Sequence, residues 1–158
     1  MHLHISGVPQ THHVGANPQY EYYRRELVQK ARDYRLANRG GGAVAEYTLP
    51  PGKAAYPYHY HLKDEESFLI QSGTGRLRTP SGERDVAAGD FLFFPTGEAG
   101  AHTLTNASAT EPLVYIDFDA THDLDVCFYP DSGKIGVWGM DVNALYKTAQ
   151  AVAYYEGE

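Results

Sequence analysis

From Ala43 onward, apolar residues come in short runs separated by bends, a pattern that predicts strands rather than helices. The runs are Ala43 to Leu49, Glu66 to Gln71, Arg76 to Thr79, Arg84 to Ala87, Phe91 to Phe94, His102 to Asn106 and Leu113 to Phe118. Between them lie Pro50-Pro51-Gly52, Gly73-Thr74-Gly75, Pro80-Ser81-Gly82-Glu83, Ala88-Gly89-Asp90 and Pro95-Thr96-Gly97, each with Gly or Pro where the chain must turn. Spacing this regular predicts an all-β sandwich or jelly-roll barrel. Tyr129 to Gly133 reads as a turn ahead of one more strand, Lys134 to Trp138, and the tail from Asp141 as a helical turn or two around Ala144 to Ala151. No internal repeat is visible, so a single barrel is expected.

The first part of the chain has a different texture. Residues 1 to 19 are polar and without period, which suggests an arm that wraps the core or docks on a partner. Asn17-Pro18 resembles a helix start, and Tyr20, Tyr23, Leu27, Ala31 and Tyr34 recur at helical spacing, predicting a short helix that ends near Asn38 before the Gly40 to Gly42 run. The expected organisation is an arm and helix over residues 1–42 packed on the barrel, the barrel over 43–140, and a tail over 141–158 within the same domain.

Composition narrows the partners. A chain of 158 residues fits one domain and buries roughly two thirds of its unfolded surface. With a net charge of −7 and its 13 Lys and Arg spread along the chain, it offers no basic face, so nucleic acid is not an expected partner. Cys127 is the only cysteine, which excludes an intrachain disulfide and a cysteine-based zinc cage. The opening residues lack a secretory pattern and no segment is apolar enough to span a bilayer, so a cytoplasmic protein with no membrane association is expected.

His59 and His61 are one residue apart, and alternate side chains of a strand face the same way, so both imidazoles can enter one cavity as a chelating pair. Glu66 is in phase with Phe68 and Ile70, and a carboxylate on an apolar face needs a partner or a metal. Here the chain resembles a known family. Gly52-(six residues)-His59-x-His61-(four residues)-Glu66-(six residues)-Gly73 is similar to the first motif of the cupins. Gly89-(five residues)-Pro95-x-Gly97-(four residues)-His102-(three residues)-Asn106 is similar to their second. The first-motif Gly stands one residue further from the His pair than usual, and the second-motif Gly two residues further from its His. Both insertions fall in loops. The resemblance covers about Ala43 to Phe118 and implies a single cupin jelly-roll β-barrel, or double-stranded β-helix. It further implies that His59, His61, Glu66 and His102 hold one divalent transition metal ion, and three imidazoles with a carboxylate suit Zn, Fe, Mn, Ni or Co. Glu65 is a rival carboxylate, disfavoured by its spacing to Gly73. His2, His4, His12, His13 and His122 are expected at the surface.

Tyr56, Tyr58 and Tyr60 alternate with the histidines and should face away from the metal, as packing or as a homodimer contact together with the arm. Two enzyme classes fit the site: a metal-dependent isomerase of a sugar or sugar phosphate, the first choice by resemblance to mannose-6-phosphate isomerase-like cupins, and an Fe(II) oxygenase. A non-catalytic barrel for a small oxygen-rich molecule is the third reading. Candidate proton-transfer residues are Glu65, Tyr115 and Asp117. Candidate substrate contacts are Lys53, Phe68 and Arg76, with Lys63 another basic residue near the expected mouth.

Overall fold

A computed structural model describes residues 2–28, 41–139 and 141–158. The largest sheet has six strands in the order β1 (Thr11–Val14), β2 (Glu21–Val28), β3 (Gly41–Leu49), β10 (Leu113–Thr121), β5 (Glu65–Ser72) and β8 (Phe91–Phe94). A four-stranded sheet runs β13 (Val142–Lys147), β12 (Lys134–Gly139), β11 (Leu124–Tyr129) and β4 (Tyr60–His61). The third sheet has the order β7 (Gly82–Ala87), β6 (Thr74–Thr79) and β9 (Thr103–Asn106). Every pairing within these sheets is antiparallel.

Alternation gives the six-stranded sheet one inward face. Its core residues Ala45, Tyr47, Leu49, Phe68, Ile70, Phe94, Leu113 and Tyr115 meet Leu77, Val86 and Leu104 of the three-stranded sheet in one buried cluster. Register then places other residues on that same face. Arg24, Tyr47, Tyr115 and Ile70 form one row across four strands, and Glu26, Ala45, Asp117 and Phe68 form the next. Ala43, Asp119, Glu66 and Phe94 form a third. The inner face is therefore apolar at one end and polar at the other, with the small side chains of Ala43 and Ala45 leaving room beside the acids.

Turn chemistry holds these rows in place. Gly73 has a φ of 84°, and a Cβ there would stand 2.4 Å from the Pro112 carbonyl oxygen, so the β5–β6 turn requires glycine. Asn106, 1% exposed, donates to the carbonyls of Leu49 and Glu111 at 2.9 Å each and accepts from the Ser108 N–H at 2.9 Å. One amide thus fastens the end of β9 to the end of β3 and to the loop before β10.

The seven strands read between Ala43 and Phe118 are present, as is Lys134–Gly139. The expected helix is not. Residues 21–28 form a strand paired with β3, and the rest of that helix, from residue 29, lies outside the described residues. The helical spacing of Tyr20, Tyr23 and Leu27 is overridden by an open sheet edge at β3, whose backbone donors and acceptors β2 satisfies. Part of the arm is β1, which continues the sheet outward. The tail is a strand, β13, with only a 3-10 turn at Thr148–Gln150 where helix was expected. The strand expected at His59 and His61 is present as β4, which begins at Tyr60, while β11 had no counterpart in the pattern. No helix among the described residues is long and apolar enough to cross a membrane.

Candidate metal centre

The two sequence motifs meet through their backbones. His59 and His102 exchange N–H to carbonyl bonds of 3.1 and 2.9 Å, and the Gly97 N–H donates to the His61 carbonyl at 2.7 Å. His61 sits on β4 and Glu66 on β5, so the four side chains arrive from both sides of the barrel.

Each imidazole is aimed by a bond at its far nitrogen. The Nδ1–H of His59 donates to the Pro57 carbonyl at 2.8 Å, that of His102 to the Gly100 carbonyl at 2.9 Å, and that of His61 to the Asp125 carboxylate at 2.5 Å. An acceptor at Nδ1 holds a proton there, so Nε2 is the nitrogen that offers a lone pair to a metal when the ring is neutral. The three Nε2 atoms lie 3.5, 3.5 and 3.3 Å from Glu66 Oε2, for His59, His61 and His102 in turn. Glu66 Oε2 and His102 Nε2 are both buried and without a hydrogen-bond partner. Orphaned donor atoms of this kind cost about 1–3 kcal/mol each, and three lone pairs with one carboxylate oxygen form a donor set that fits a divalent transition metal.

The electrostatics follow the same arrangement. Burial would raise the Glu66 carboxyl, but His102, His59 and His61 outweigh it and hold Glu66 well below the usual carboxylate range. Burial pushes His102 down to about 4, against the pull of Glu66. Burial also lowers His61, but its bond to Asp125, with Cys127 and Glu66, overcomes this and raises it to about 11. Asp125 is itself 1% exposed and lowered, since accepting from His61 and from the backbone N–H groups of Lys63 (2.8 Å) and Asp64 (3.3 Å) outweighs burial. The Cys127 sulfur lies within 4.8 Å of a ring nitrogen of both His59 and His61.

A second acidic group adjoins the first. Carboxylate oxygens of Glu66, Asp117 and Asp119 lie within 4.8 Å of one another, and the Oδ1 atoms of Asp117 and Asp119 are buried without a partner. Burial, mutual repulsion and Glu66 push Asp117 well above its ordinary value; burial and Glu66 push Asp119 up to about 6. Neighbouring buried carboxyls cannot all ionise, so this pair holds a proton beside the histidines.

Of the other residues singled out, the structure brings Asp117 and Phe68 to the site, with the Phe68 ring 5.4 Å from His102. Tyr115 is buried between Tyr47 and Phe68, at 5.1 and 4.7 Å, in the core beneath it. Glu65 points outward and is exposed, while Glu66 points inward. Arg76 pairs with Asp85 at 3.2 Å on the outside, and Lys53 donates to the Pro18 carbonyl at 2.5 Å in a surface loop. Tyr58 lies under the Arg78 guanidinium and Tyr60 stacks on Phe128, both away from the histidines. Tyr56 turns inward instead, 6.2 Å from His59, because regular strand geometry begins only at Tyr60. Asp125, Asp119 and Tyr129, whose ring is 6.0 Å from His59, carried no signal in the sequence pattern. Each comes from a strand far from the motifs in the chain.

The cupin domain family matches residues 45–119. No curated protein sequence matches the chain. Among solved structures, a protein provisionally described as a sugar phosphate isomerase from Acidithiobacillus ferrooxidans superposes with a TM-score of 0.78 at 28% identity, covering 96% of this chain and 93% of its own. A cupin described as a sugar phosphate isomerase from Silicibacter pomeroyi gives 0.76 at 16% identity, covering 98% of both chains. A protein described as a predicted oxalate decarboxylase from Thermotoga maritima gives 0.63 at 22%, covering 76% of this chain and 98% of its own. The family match over β3 to β10, the jelly-roll likeness over nearly the whole chain and the meeting of the two motifs agree: residues 45–119 form a cupin domain.

Proposed function

We propose that the protein is a metal-dependent isomerase of a small, oxygen-rich substrate, a sugar or sugar phosphate. The observation that carries this is the placement of two neighbouring buried carboxyls, Asp117 and Asp119, each with an Oδ1 that has no partner, beside the donor set. His59, His61, Glu66 and His102 would hold one divalent transition metal ion, Zn, Fe, Mn, Ni or Co. That ion supplies Lewis-acid polarisation of neighbouring substrate oxygens. The chain's own residues do the rest. Asp117 and Asp119 face the cavity from β10, where a carboxylate oxygen can take the proton from the C–H bond next to a carbonyl and return it to the adjacent carbon. That transfer breaks one C–H and one O–H bond, forms a C–H bond at the former carbonyl carbon and an O–H bond at its oxygen, and needs no oxidant. Tyr129 and Tyr56 flank His59 and offer aromatic faces and hydroxyls to a sugar. Likeness over 96% of this chain to a protein provisionally described as a sugar phosphate isomerase supports the same reading.

The test is an anaerobic incubation of the metal-loaded protein with aldoses, ketoses and their phosphates in deuterated water. Interconversion with deuterium at the carbon next to the carbonyl is expected, and Asp117→Asn and Asp119→Asn should lose it while retaining metal. Product formation that requires dioxygen, or saturable binding with no exchange in any pair, would overturn the proposal in favour of an oxygenase or a non-catalytic barrel.

A further inference from the structure

Strand β2 contributes a cation to the inside of the barrel. Arg24 stands in the inward row with Tyr47, Tyr115 and Ile70, so its side chain lies on the inner face of the sheet, where it is 26% exposed. Its Nη1 lies 3.2 Å from Glu26 Oε1. Its Nε is buried and has no hydrogen-bond partner, and no bond to Nη2 is present among the described residues. One ion pair therefore occupies a single corner of the guanidinium. Nη2 has no bond among the described residues and is left to donate to an oxygen of a carboxylate or phosphate, with the buried Nε–H behind it still without an acceptor.

Tyrosine hydroxyls gather beside it. Tyr56 Oη lies 3.2 Å from Tyr22 Oη and 3.0 Å from Tyr47 Oη, and the guanidinium carbon is 5.5 Å from the Tyr47 ring centroid. Burial, and then neighbouring charges and hydroxyls, raise Tyr47 and Tyr56 well above the ordinary tyrosine value, so both remain neutral hydroxyls able to donate. Tyr56 joins this cluster to the histidines, since its ring is edge-on to His59 at 6.2 Å. Tyr56 keeps 38% of its surface accessible although packed by three rings, so it can be reached by a ligand from solvent.

We infer that Arg24, with the hydroxyls of Tyr22 and Tyr56, binds an oxyanion, a phosphate ester or carboxylate, at the end of a ligand whose other end reaches His59, His61, Glu66 and His102. The inference deepens the isomerase reading by making the substrate anionic, and it rests on that reading only for what occupies the ligand's other end. Arg24 is a binding residue here, and Glu26 positions it by fixing one corner of the fork.

The test keeps the two ideas separable by using chelator-treated, metal-free protein, with inorganic phosphate in one arm and acetate in the other, each followed by calorimetric titration. Wild-type protein is expected to bind at least one probe with millimolar or tighter affinity. Arg24→Gln should weaken that binding at least tenfold, about 1.4 kcal/mol. Arg24→Lys, which keeps the charge but not the fork, should recover part of it, and Tyr56→Phe should weaken it less than Arg24→Gln. Preference for phosphate assigns a phosphorylated substrate, and preference for acetate a carboxylate. Equal affinity in wild type and Arg24→Gln, or no binding of either probe by wild type, overturns the inference whatever the metal content. Circular dichroism checks folding, and if Arg24→Gln fails to fold, Arg24→Lys and Tyr56→Phe decide by the same criterion.

Discussion

Replacing Asp125 by Asn removes one charge and almost no volume, yet it should disable a histidine it never replaces. The carboxylate accepts three bonds, from His61 Nδ1–H at 2.5 Å and from the N–H groups of Lys63 and Asp64 at 2.8 and 3.3 Å. An amide has one oxygen and one NH2 for these three donors. If the oxygen stays with the two backbone N–H groups, the NH2 faces His61 Nδ1. The imidazole then moves its proton to Nε2 and loses the lone pair aimed at Glu66. If the amide turns over, His61 is satisfied and buried backbone donors are left facing an NH2, at about 1–3 kcal/mol. Either outcome weakens the site from outside it, and the usual range for such supporting carboxylates is about 10–100-fold in metal affinity. Competition for Zn2+ against a chromophoric chelator measures this directly, with circular dichroism as the check on folding. Affinity within twofold of the wild type in a folded Asp125→Asn protein would refute the claim that Asp125 sets the His61 tautomer.

Other consequences are structural. Asn106→Ala deletes three bonds at 2.9 Å, one buried and two part-buried, and should cost about 3 kcal/mol, at about 1 kcal/mol each. In urea the midpoint should fall with the slope unchanged, and a midpoint at the wild-type value would contradict the role given to this side chain. Gly73→Ala places a Cβ 2.4 Å from the Pro112 carbonyl oxygen at a φ of 84°, so a loss of about 1–3 kcal/mol from backbone strain alone is expected. Thermal unfolding unchanged from wild type would show that the turn relaxes freely.

The parts of this molecule that could be read in its sequence are those where a local signal coincides with a local structure. Runs such as Phe91 to Phe94, bounded by Ala88-Gly89-Asp90 and Pro95-Thr96-Gly97, carry both the strand and its ends. The His59-x-His61 pair and Glu66 carry their own geometry because strand alternation fixes which way each points. Strand β2 was hidden for a physical reason. Its inward residues Tyr22, Arg24 and Glu26 are polar, the first two only part-buried and Glu26 exposed, so the alternation of a buried strand is absent and the chance spacing of Tyr20, Tyr23 and Leu27 resembles a helix. Asp125 was invisible for another reason, since it supports His61 from a strand 64 residues away. A regular strand would point Tyr56 outward, but strand geometry starts only at Tyr60. The long-range partners, and with them the cavity's charge pattern, exist only once β10, β11 and β2 are laid against the motifs.

If His59, His61, Glu66 and His102 form one metal centre, the metal content of the protein must follow those four side chains. Elemental analysis after metal loading and exhaustive dialysis, beside His59→Ala, Glu66→Gln and His102→Ala treated identically, measures this. Close to one transition metal ion per wild-type chain is expected, with a large loss in each variant that remains folded. Metal retained at the wild-type level by folded His59→Ala and His102→Ala proteins would contradict it.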